Sequence, residues 1–430
     1  MSLVFYGLMA AAFVMAAWGQ IQGLTPSPME ALGTAAMQAA DQAVTLGLGL
    51  IGALSLFLGV MKVAESAGAL AWLARLLRPL LTRLFPSIPA EDPTLGAMLM
   101  NVAANMVGLS NAATPFGLRA MRGLDRLNPS PGTASNAMVL FLALNTANVT
   151  LLPTHVMALR TAVGSHQPAV IVGTTLLSTA VAMAVALLAA GLGGRIWPNR
   201  PVPLGETAIP AAELPTTTEA DSLPALTEAT PPLPLWQSLC GVIGLVAGLG
   251  GMIWGGPALS PWILPSLIIG VLTLGLIKRV PLYPRFVDGA REGLTLSLQI
   301  LPALVAILTA IGMVRASGAM AALLGPLSQW TAPLGLPAEA LTMVVLRSLS
   351  GSASFGYLAA LLKDPAIGPD SPLGILLSTI YGSSETTFYV LAVYFGVTRV
   401  RSLRHALLVG VLADLGGAVG AVLACRWLVG

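Results

Sequence analysis

Asparagines in a mostly apolar segment are the side chains of this sequence best suited to binding a ligand. Asn101, Asn105 and Asn111 lie close together among alanine, methionine, valine and leucine residues. An amide in hydrocarbon needs partners for both its oxygen and its nitrogen, and an unwound backbone beside it adds free carbonyl and amide groups. The segment therefore predicts a site for a polar ligand or a dehydrated cation.

Small polar residues recur in later apolar segments and extend this predicted site. For each serine or threonine the alternative role is helix packing, because small polar residues also hold membrane helices together. Amides and carboxylates cost more to bury, which favours a functional role for them. The predicted solute-binding side chains are Asn101, Asn105, Asn111, Asn148, Ser352, Ser354, Ser383 and Glu385.

Ionisable side chains within apolar segments are the second feature that points to function. Glu385 lies near the middle of one segment, Asp414 lies in the last one, and Arg347 precedes the serine-rich stretch. Such groups usually pair with one another or line an ion or proton path. The sequence leaves open whether Arg347 forms a structural salt bridge with a carboxylate or whether these groups couple an ion to a solute.

Motifs for catalysis, metal binding and redox chemistry are missing from the sequence. GSASFG (351–356) has the wrong spacing for a GxSxG elbow, and neither HExxH nor a P-loop occurs. Cys240 and Cys425 form no CxxC pair. The histidines, including His155 and His405, are predicted to lie at the membrane interface. We therefore predict no enzyme and no cofactor.

Composition places the chain in a membrane. Of its 430 residues 56% are hydrophobic and only 9% are charged, whereas soluble proteins carry about 25% charged residues. Such a chain lacks the polar side chains to cover its own surface in water. The net charge of +3 is too small for a nucleic-acid binder.

Apolar stretches long enough to cross the hydrocarbon predict about nine spans. The first of them lacks a basic leader region, which favours a retained span over a signal peptide. The predicted spans are 3–19, 43–61, 134–153, 168–193, 236–256, 261–277, 293–313, 372–396 and 405–428. Two further stretches, 94–116 and 337–361, are too rich in small polar residues to face lipid and are predicted to be re-entrant hairpins.

Basic residues support the first hairpin. One arginine cluster (75–83) precedes it and another (119–126) follows it. Because cytoplasmic loops collect Lys and Arg, a hairpin that enters and leaves on one side keeps both clusters in the cytoplasm. With a cytoplasmic N-terminus, most other basic residues also fall inside.

A proline-, threonine- and glutamate-rich segment divides the chain. Residues 198–235 cannot bury enough apolar surface to fold, and their prolines hold the segment extended. They are predicted to form a cytoplasmic linker between two membrane halves, 1–197 and 236–430.

The two halves resemble each other weakly. VAESAGAL (63–70) matches MVRASGAM (313–320), and LNTANVTLL (144–152) matches YGSSETTFY (381–389). Under the predicted topology the copies have opposite orientations in the membrane. The sequence therefore predicts an all-α fold of two inverted repeats, each with a re-entrant hairpin and a broken helix. Gene duplication in a purely structural protein is the alternative.

At these residues the sequence also resembles a known family. NMVGLSNAATPFGLRAM (105–121) resembles the signature of spore maturation protein A, and IYGSSETTFYVLAVYFG (380–396) together with LRSLSGSASFG (346–356) resembles spore maturation protein B. Both belong to the nucleoside recognition, or gate-domain, superfamily, which is similar to parts of the concentrative nucleoside transporters and the ferrous-iron transporter. The resemblance covers nearly all of both halves. It implies a natural fusion with hairpins and broken helices around a central site, but no particular substrate.

These observations predict a secondary transporter of a small polar solute, nucleoside-like or amino-acid-like, in the bacterial cytoplasmic membrane. Na⁺ or H⁺ would drive it, with Glu385, Asp414 and Arg347 as the coupling groups. The rival prediction is a membrane scaffold or regulator of envelope or spore maturation that transports nothing. Small-residue faces permit tight helix packing within one chain or between copies, and a homo-oligomer is expected.

Overall fold

The computed structural model of the chain describes residues 2–23, 27–197, 251 and 261–429. Within these ranges every regular element is a helix, and an isolated bridge joins Thr133 to Ser402. The predicted linker at 198–235 lies outside the described residues, as does the predicted span at 236–256 apart from residue 251.

Each half begins with long helices and continues with shorter ones. The helices of the first half are α1 (Ser2–Ile21), α2 (Pro28–Ser66), α3 (Ala69–Leu84), α4 (Pro93–Met106), α5 (Ser110–Arg126), α6 (Asn136–Thr146), α7 (Thr154–Ala162) and α8 (Ile171–Ile196). Those of the second half are α9 (Pro261–Ile277), α10 (Leu282–Ala316), α11 (Ala319–Thr331), α12 (Ala338–Leu349), α13 (Gly351–Lys363), α14 (Pro372–Gly382), α15 (Thr387–Phe395) and α16 (Ala406–Leu428).

Helix starts follow local capping chemistry. The Asp92 side chain accepts a hydrogen bond from the Thr94 amide at the start of α4, and Pro93 occupies the first turn. Ser350 caps α13 through the amide of Ala353. A short polar side chain at this position satisfies an amide that has no partner within the helix. The sequence thus fixes where these short helices begin.

The polar stretch at 94–116 doubles back on itself. Arg126 at the far end of α5 forms an ion pair with Asp92 at the start of α4, at 2.9 Å between Nη2 and Oδ2. The turn between the two helices contains Gly108 at φ +84°, where a Cβ would lie 2.7 Å from the Leu152 carbonyl oxygen. Only glycine has room there and tolerates that backbone. In the second half Thr342 on α12 hydrogen-bonds Tyr357 on α13 across Ser350.

The described residues contain four helices long and apolar enough to cross a membrane, or five if one sharply bent pair is counted as a span. The four are α2, α8 with its preceding turn, α10 and α16, while α1, α6 and α9 are shorter apolar helices. The predicted spans at 134–153 and 372–396 are each divided into two short helices. The chain is therefore a multi-pass membrane protein of helices, and the count of nine spans stays a prediction.

Both halves use the same order of elements. A long helix ends at a glycine with positive φ, at Gly68 in one half and Gly318 in the other. A short helix, a pair of helices joined by a tight turn, a broken helix and a final long helix follow in each half. The opposite orientation of the halves in a membrane stays a prediction.

Glycines bring the two halves into close contact. A Cβ at Gly293 on α10 would lie 2.6 Å from the backbone of Ser55 on α2. At the second contact, a Cβ at Gly420 on α16 would lie 3.0 Å from the Ser178 carbonyl oxygen on α8. Small residues allow helix backbones to approach this closely. Among the described residues, these small-residue faces thus pack within the chain.

A large side chain at Gly293 is expected to separate α2 from α10. We expect Gly293→Leu to lower the free energy of unfolding by about 1–3 kcal/mol, the usual cost of overpacking a tight contact. Thermal unfolding of the purified protein measures this. The matched control is Gly52→Leu on α2, where nothing lies within 4 Å of the added Cβ. Equal melting temperatures for the two variants would contradict the close packing.

Candidate functional site

A cavity of about 740 Å³ lies where the helix breaks of the two halves meet. Its wall contains the turn between α4 and α5, the break between α6 and α7, the turn between α12 and α13, and the break between α14 and α15. Helix ends leave backbone amide and carbonyl groups without intrahelical partners. The cavity is thus lined by helix ends, whose backbone groups take their partners from outside their own helices.

Hydrogen bonds tie the breaks to one another. The Glu385 amide donates to the Thr146 carbonyl oxygen at 2.7 Å and so joins the breaks of the two halves. Within the first half, Asn148 Nδ2 donates to the Asn105 carbonyl oxygen at 3.1 Å. The unwound segments therefore form one bonded unit around the cavity.

Arg347 organises the break between α14 and α15. Its Nε donates to the Tyr381 carbonyl oxygen at 2.9 Å, and its Nη1 donates to Thr386 Oγ1 at 2.8 Å. Its Nη2 donates to the Ser384 carbonyl oxygen and lies 3.4 Å from Glu385 Oε2. The guanidinium also lies 4.7 Å from the centre of the Tyr381 ring. A single side chain thus binds the carbonyl oxygens that the break leaves free.

A chain of amide and hydroxyl groups runs from the cavity into the protein. Asn105 Nδ2 donates to Asn145 Oδ1 at 3.0 Å, and the Tyr394 hydroxyl donates to the same oxygen at 3.1 Å. Asn101 Nδ2 donates to that hydroxyl, also at 3.1 Å. Buried networks of this kind fix side chains in one arrangement. The network therefore sets the position of Asn105 at the cavity wall.

Asp414 lies behind the cavity wall and is 4% exposed. Its Oδ2 accepts hydrogen bonds from Ser348 Oγ at 2.5 Å and from Thr387 Oγ1 at 2.7 Å. Its other oxygen, Oδ1, is buried without a hydrogen-bond partner among the described residues.

The structure separates the predicted site residues into two groups. The cavity wall contains Asn105, Asn148, Ser352, Glu385 and Arg347. The residues away from the wall are Asn101, Ser354, Ser383 and Asp414. Ser354 donates to the Ser350 and Gly351 carbonyl oxygens, and a hydroxyl bonded to its own helix serves packing. The side chain of Asn111 lies outside the described part of the chain.

Sequence reasoning missed the histidine and the aromatic side chains of the site. His155 lines the cavity at the start of α7, and its depth relative to the membrane interface stays a prediction. Pro153 and the polar residues before it mark a break, and that signal could have placed His155 inside. Phe355, Tyr381 and Tyr389 add ring surfaces to the wall. His405, the residue before α16, is buried and stacks on Trp197 at 6.0 Å between ring centres.

Two ion pairs connect the halves away from the cavity. Arg160 at the end of α7 is fully buried and binds Asp370, in the loop between α13 and α14, at 2.9 Å. In the reverse direction, Arg399 after α15 binds Asp125 at the end of α5, also at 2.9 Å. The two pairs occupy equivalent places in the repeated order of elements. Each half is thus attached to the other by a basic residue near the end of its broken helix.

The ion pair between Arg160 and Asp370 predicts that the protein loses stability in acid. Burial raises the pKa of Asp370, but hydrogen bonds from Ser165 and the His166 amide and the charge of Arg160 outweigh it, so the pKa lies below its ordinary value. Such a carboxyl stabilises the fold fully above the unfolded-state pKa of about 3.9 and loses this effect as the pH falls below it. At neutral pH we expect the wild-type protein to have a higher melting temperature than the Asp370→Asn variant. A pH series of melting temperatures should show the gap closing below about pH 4; a constant gap would contradict the prediction.

Comparison with known proteins gives the family of this chain. Residues 48–162 match the nucleoside recognition (gate) domain family. Spore maturation protein A of Bacillus subtilis (strain 168) is 40% identical over 163 residues, which cover 38% of this chain and 83% of that protein. Spore maturation protein B of the same organism is 40% identical over 172 residues, 40% of this chain and 96% of that protein. The chain belongs to the spore maturation protein A and B family. No solved structure matches it.

The gate-domain match falls on the part of the first half that builds the cavity. Residues 48–162 run from the middle of α2 to the end of α7 and include the α4–α5 turn and the α6–α7 break. The second half contributes the same kinds of element to the opposite wall. Among the described residues, no group of three or more His, Cys, Asp or Glu side chains could hold a metal ion.

Proposed function

We propose that this protein is a secondary transporter of a small polar solute and that the cavity between the two halves is its binding site. The observation that carries the proposal is the meeting of both tight turns and both helix breaks at one cavity. Transporters place substrate sites at the junction of two repeats, where discontinuous helices offer backbone groups. A structural protein has no need to bring all its breaks to one point.

The side chains around the cavity favour a solute with a flat ring and several hydroxyl or amino groups. Phe388 and Tyr389 line the cavity with exposed rings that a flat solute can stack against. The Asn105 and Asn148 amides, together with the Glu385 carboxylate, suit hydroxyl and amino groups. A volume of about 740 Å³ falls within the range of small-molecule sites. A nucleoside fits this description best, in keeping with the name of the gate-domain family, and an amino-acid-like zwitterion is the second choice.

The proposed arrangement in the membrane follows from the repeat. The two halves cross the bilayer in opposite orientations, and the α4–α5 and α12–α13 pairs enter from opposite faces as re-entrant hairpins. The first half corresponds to spore maturation protein A and the second to protein B. The membrane is the bacterial cytoplasmic membrane, and Na⁺ or H⁺ drives uptake. The proposed assembly is a homo-oligomer.

Filling the cavity tests the proposal. Ser352 faces the cavity and its side chain is exposed there, so Ser352→Trp places an indole in the binding space without displacing the core. We expect nucleosides to raise the melting temperature of wild type and to be taken up by proteoliposomes, because ligand that binds only the folded state stabilises it. The variant should lose both responses, while Ser66→Trp, at an exposed helix end, keeps them. Wild type that responds to no nucleoside or zwitterion contradicts the proposal.

The relatives' names favour a second candidate function. Both are named for spore maturation, and a scaffold or regulator of envelope or spore maturation would be consistent with those names. Such a protein would use the polar turns for packing alone. It would show no solute response in the same assay, and Ser352→Trp would then change nothing but the local packing.

A further inference from the structure

The charges around the cavity do not balance. Among the described residues, Arg347, Glu385 and Asp414 are the charged side chains at or directly behind the cavity wall. One guanidinium faces two carboxylates, so the group has a net charge of −1 when all three are ionised and the imidazole of His155, which also lines the cavity, is neutral. An uncompensated charge within a membrane protein is costly, and such groups usually acquire a partner. A single positive charge would balance the group.

The surroundings of Asp414 show where that charge fits. Arg347 directs its donors to the α14–α15 break and to Glu385, and it makes no hydrogen bond to Asp414 in the described structure. Asp414 Oδ1 is buried without a hydrogen-bond partner among the described residues. Of the two carboxylates, Asp414 is therefore the one with an oxygen available to a cation.

The donors to Asp414 can become ligands. Its side-chain partners are the hydroxyls of Ser348, Thr387 and Ser384, and none is an N–H group. A hydroxyl can turn its hydrogen away and offer an oxygen lone pair instead, which an N–H group cannot do. Several oxygen atoms can therefore turn toward one small cation beside Asp414.

The end of α14 packs against α16 one turn beyond Asp414. Ser383 caps α14, and a Cβ at Gly417, one turn beyond Asp414 on α16, would lie 3.4 Å from the Ser383 carbonyl oxygen. Carbonyl groups at the C-terminus of a half-helix carry partial negative charge and coordinate Na⁺ in transporters with broken helices.

Building on the transport function proposed above, we infer that Asp414 binds one Na⁺ ion together with the hydroxyls of Ser348 and Thr387. The ion site lies behind the solute cavity and is distinct from it. Ser348 neighbours Arg347 on α12, and Thr387 begins α15, so both ligands belong to elements that form the cavity wall. Na⁺ at this place would hold α12, α15 and α16 together and so preorganise the solute site.

Sodium binding can be measured without any solute. The full-length protein in lipid nanodiscs is melted at fixed pH and ionic strength while NaCl replaces KCl, and binding of radioactive Na⁺ is measured directly. We expect the melting temperature to rise saturably with Na⁺. Asp414→Asn should lose the rise and the bound Na⁺, whereas Asp41→Asn, the same change at an exposed position of α2, should keep both. Ser348→Ala should bind Na⁺ about tenfold more weakly.

Several outcomes would overturn the inference. Equal melting temperatures in Na⁺ and K⁺, or an unchanged Na⁺ response in Asp414→Asn, would do so. If acid stabilises the protein and Na⁺ does not, and if Asp414→Asn removes the effect of acid, then Asp414 binds a proton and not Na⁺. If Asp414→Asn does not fold, the Ser348→Ala variant decides, and an unchanged Na⁺ affinity in it would contradict the proposed Na⁺ site. Sodium binding in a protein that moves no solute would refute the transport function alone, and uptake without a sodium response would refute this site alone.

Discussion

Arg347→Met is expected to lower the free energy of unfolding by about 1–3 kcal/mol for each buried acceptor that loses its donor. The Arg347 side chain is 7% exposed and serves the Tyr381 and Ser384 carbonyl oxygens as well as Glu385. Methionine fills a similar volume but leaves these acceptors without their donor. Thermal and denaturant unfolding of the purified protein measure the loss.

Two further variants separate the charge of Arg347 from its geometry. Arg347→Lys keeps the charge but lacks the planar fork, so we expect it to recover only part of the stability. In the double variant Arg347→Met with Glu385→Gln, the second change removes the carboxylate left without its partner and should restore part of the loss. Wild-type stability in Arg347→Met would show that the α14–α15 break does not depend on this side chain.

Glu385→Gln is expected to reduce solute binding and uptake by about tenfold to a hundredfold, the range for losing a charged hydrogen bond. The Glu385 side chain is 35% exposed, and it lines the cavity. Its amide bond to the Thr146 carbonyl oxygen involves the backbone and survives the substitution. We therefore expect the variant to fold and to lose function, as measured by uptake in proteoliposomes and by ligand-induced thermal shift.

The control for Glu385→Gln is the same change at an exposed place. Glu30 lies in the first turn of α2, is exposed and is absent from the cavity wall, so Glu30→Gln should leave uptake unchanged. A folded Glu385→Gln protein with normal uptake would contradict the role of Glu385. A protein that no longer folds would instead show that Glu385 serves stability, as the partner of Arg347.

The sequence by itself determined the class of this protein and the positions of its breaks. Low charge and long apolar runs exclude a water-soluble fold, because no arrangement of this chain could cover itself with polar groups. Gly108 and Ser350 mark the turns at 94–116 and 337–361 by local chemistry alone, through a positive φ and a helix cap. The family was also readable from local motifs, and the comparisons confirm it.

Only the tertiary structure decided which polar residues face the cavity. Asn101 and Asn105 are four residues apart on one face of α4, yet only Asn105 reaches the wall, because Asn101 bonds Tyr394 at a sequence separation of 293. Arg160 binds Asp370 across 210 residues and so lies in the interior. Helix caps and turns depend on neighbours in the chain, whereas facing and burial depend on distant segments. The breaks were therefore predictable, and their meeting at one cavity was not.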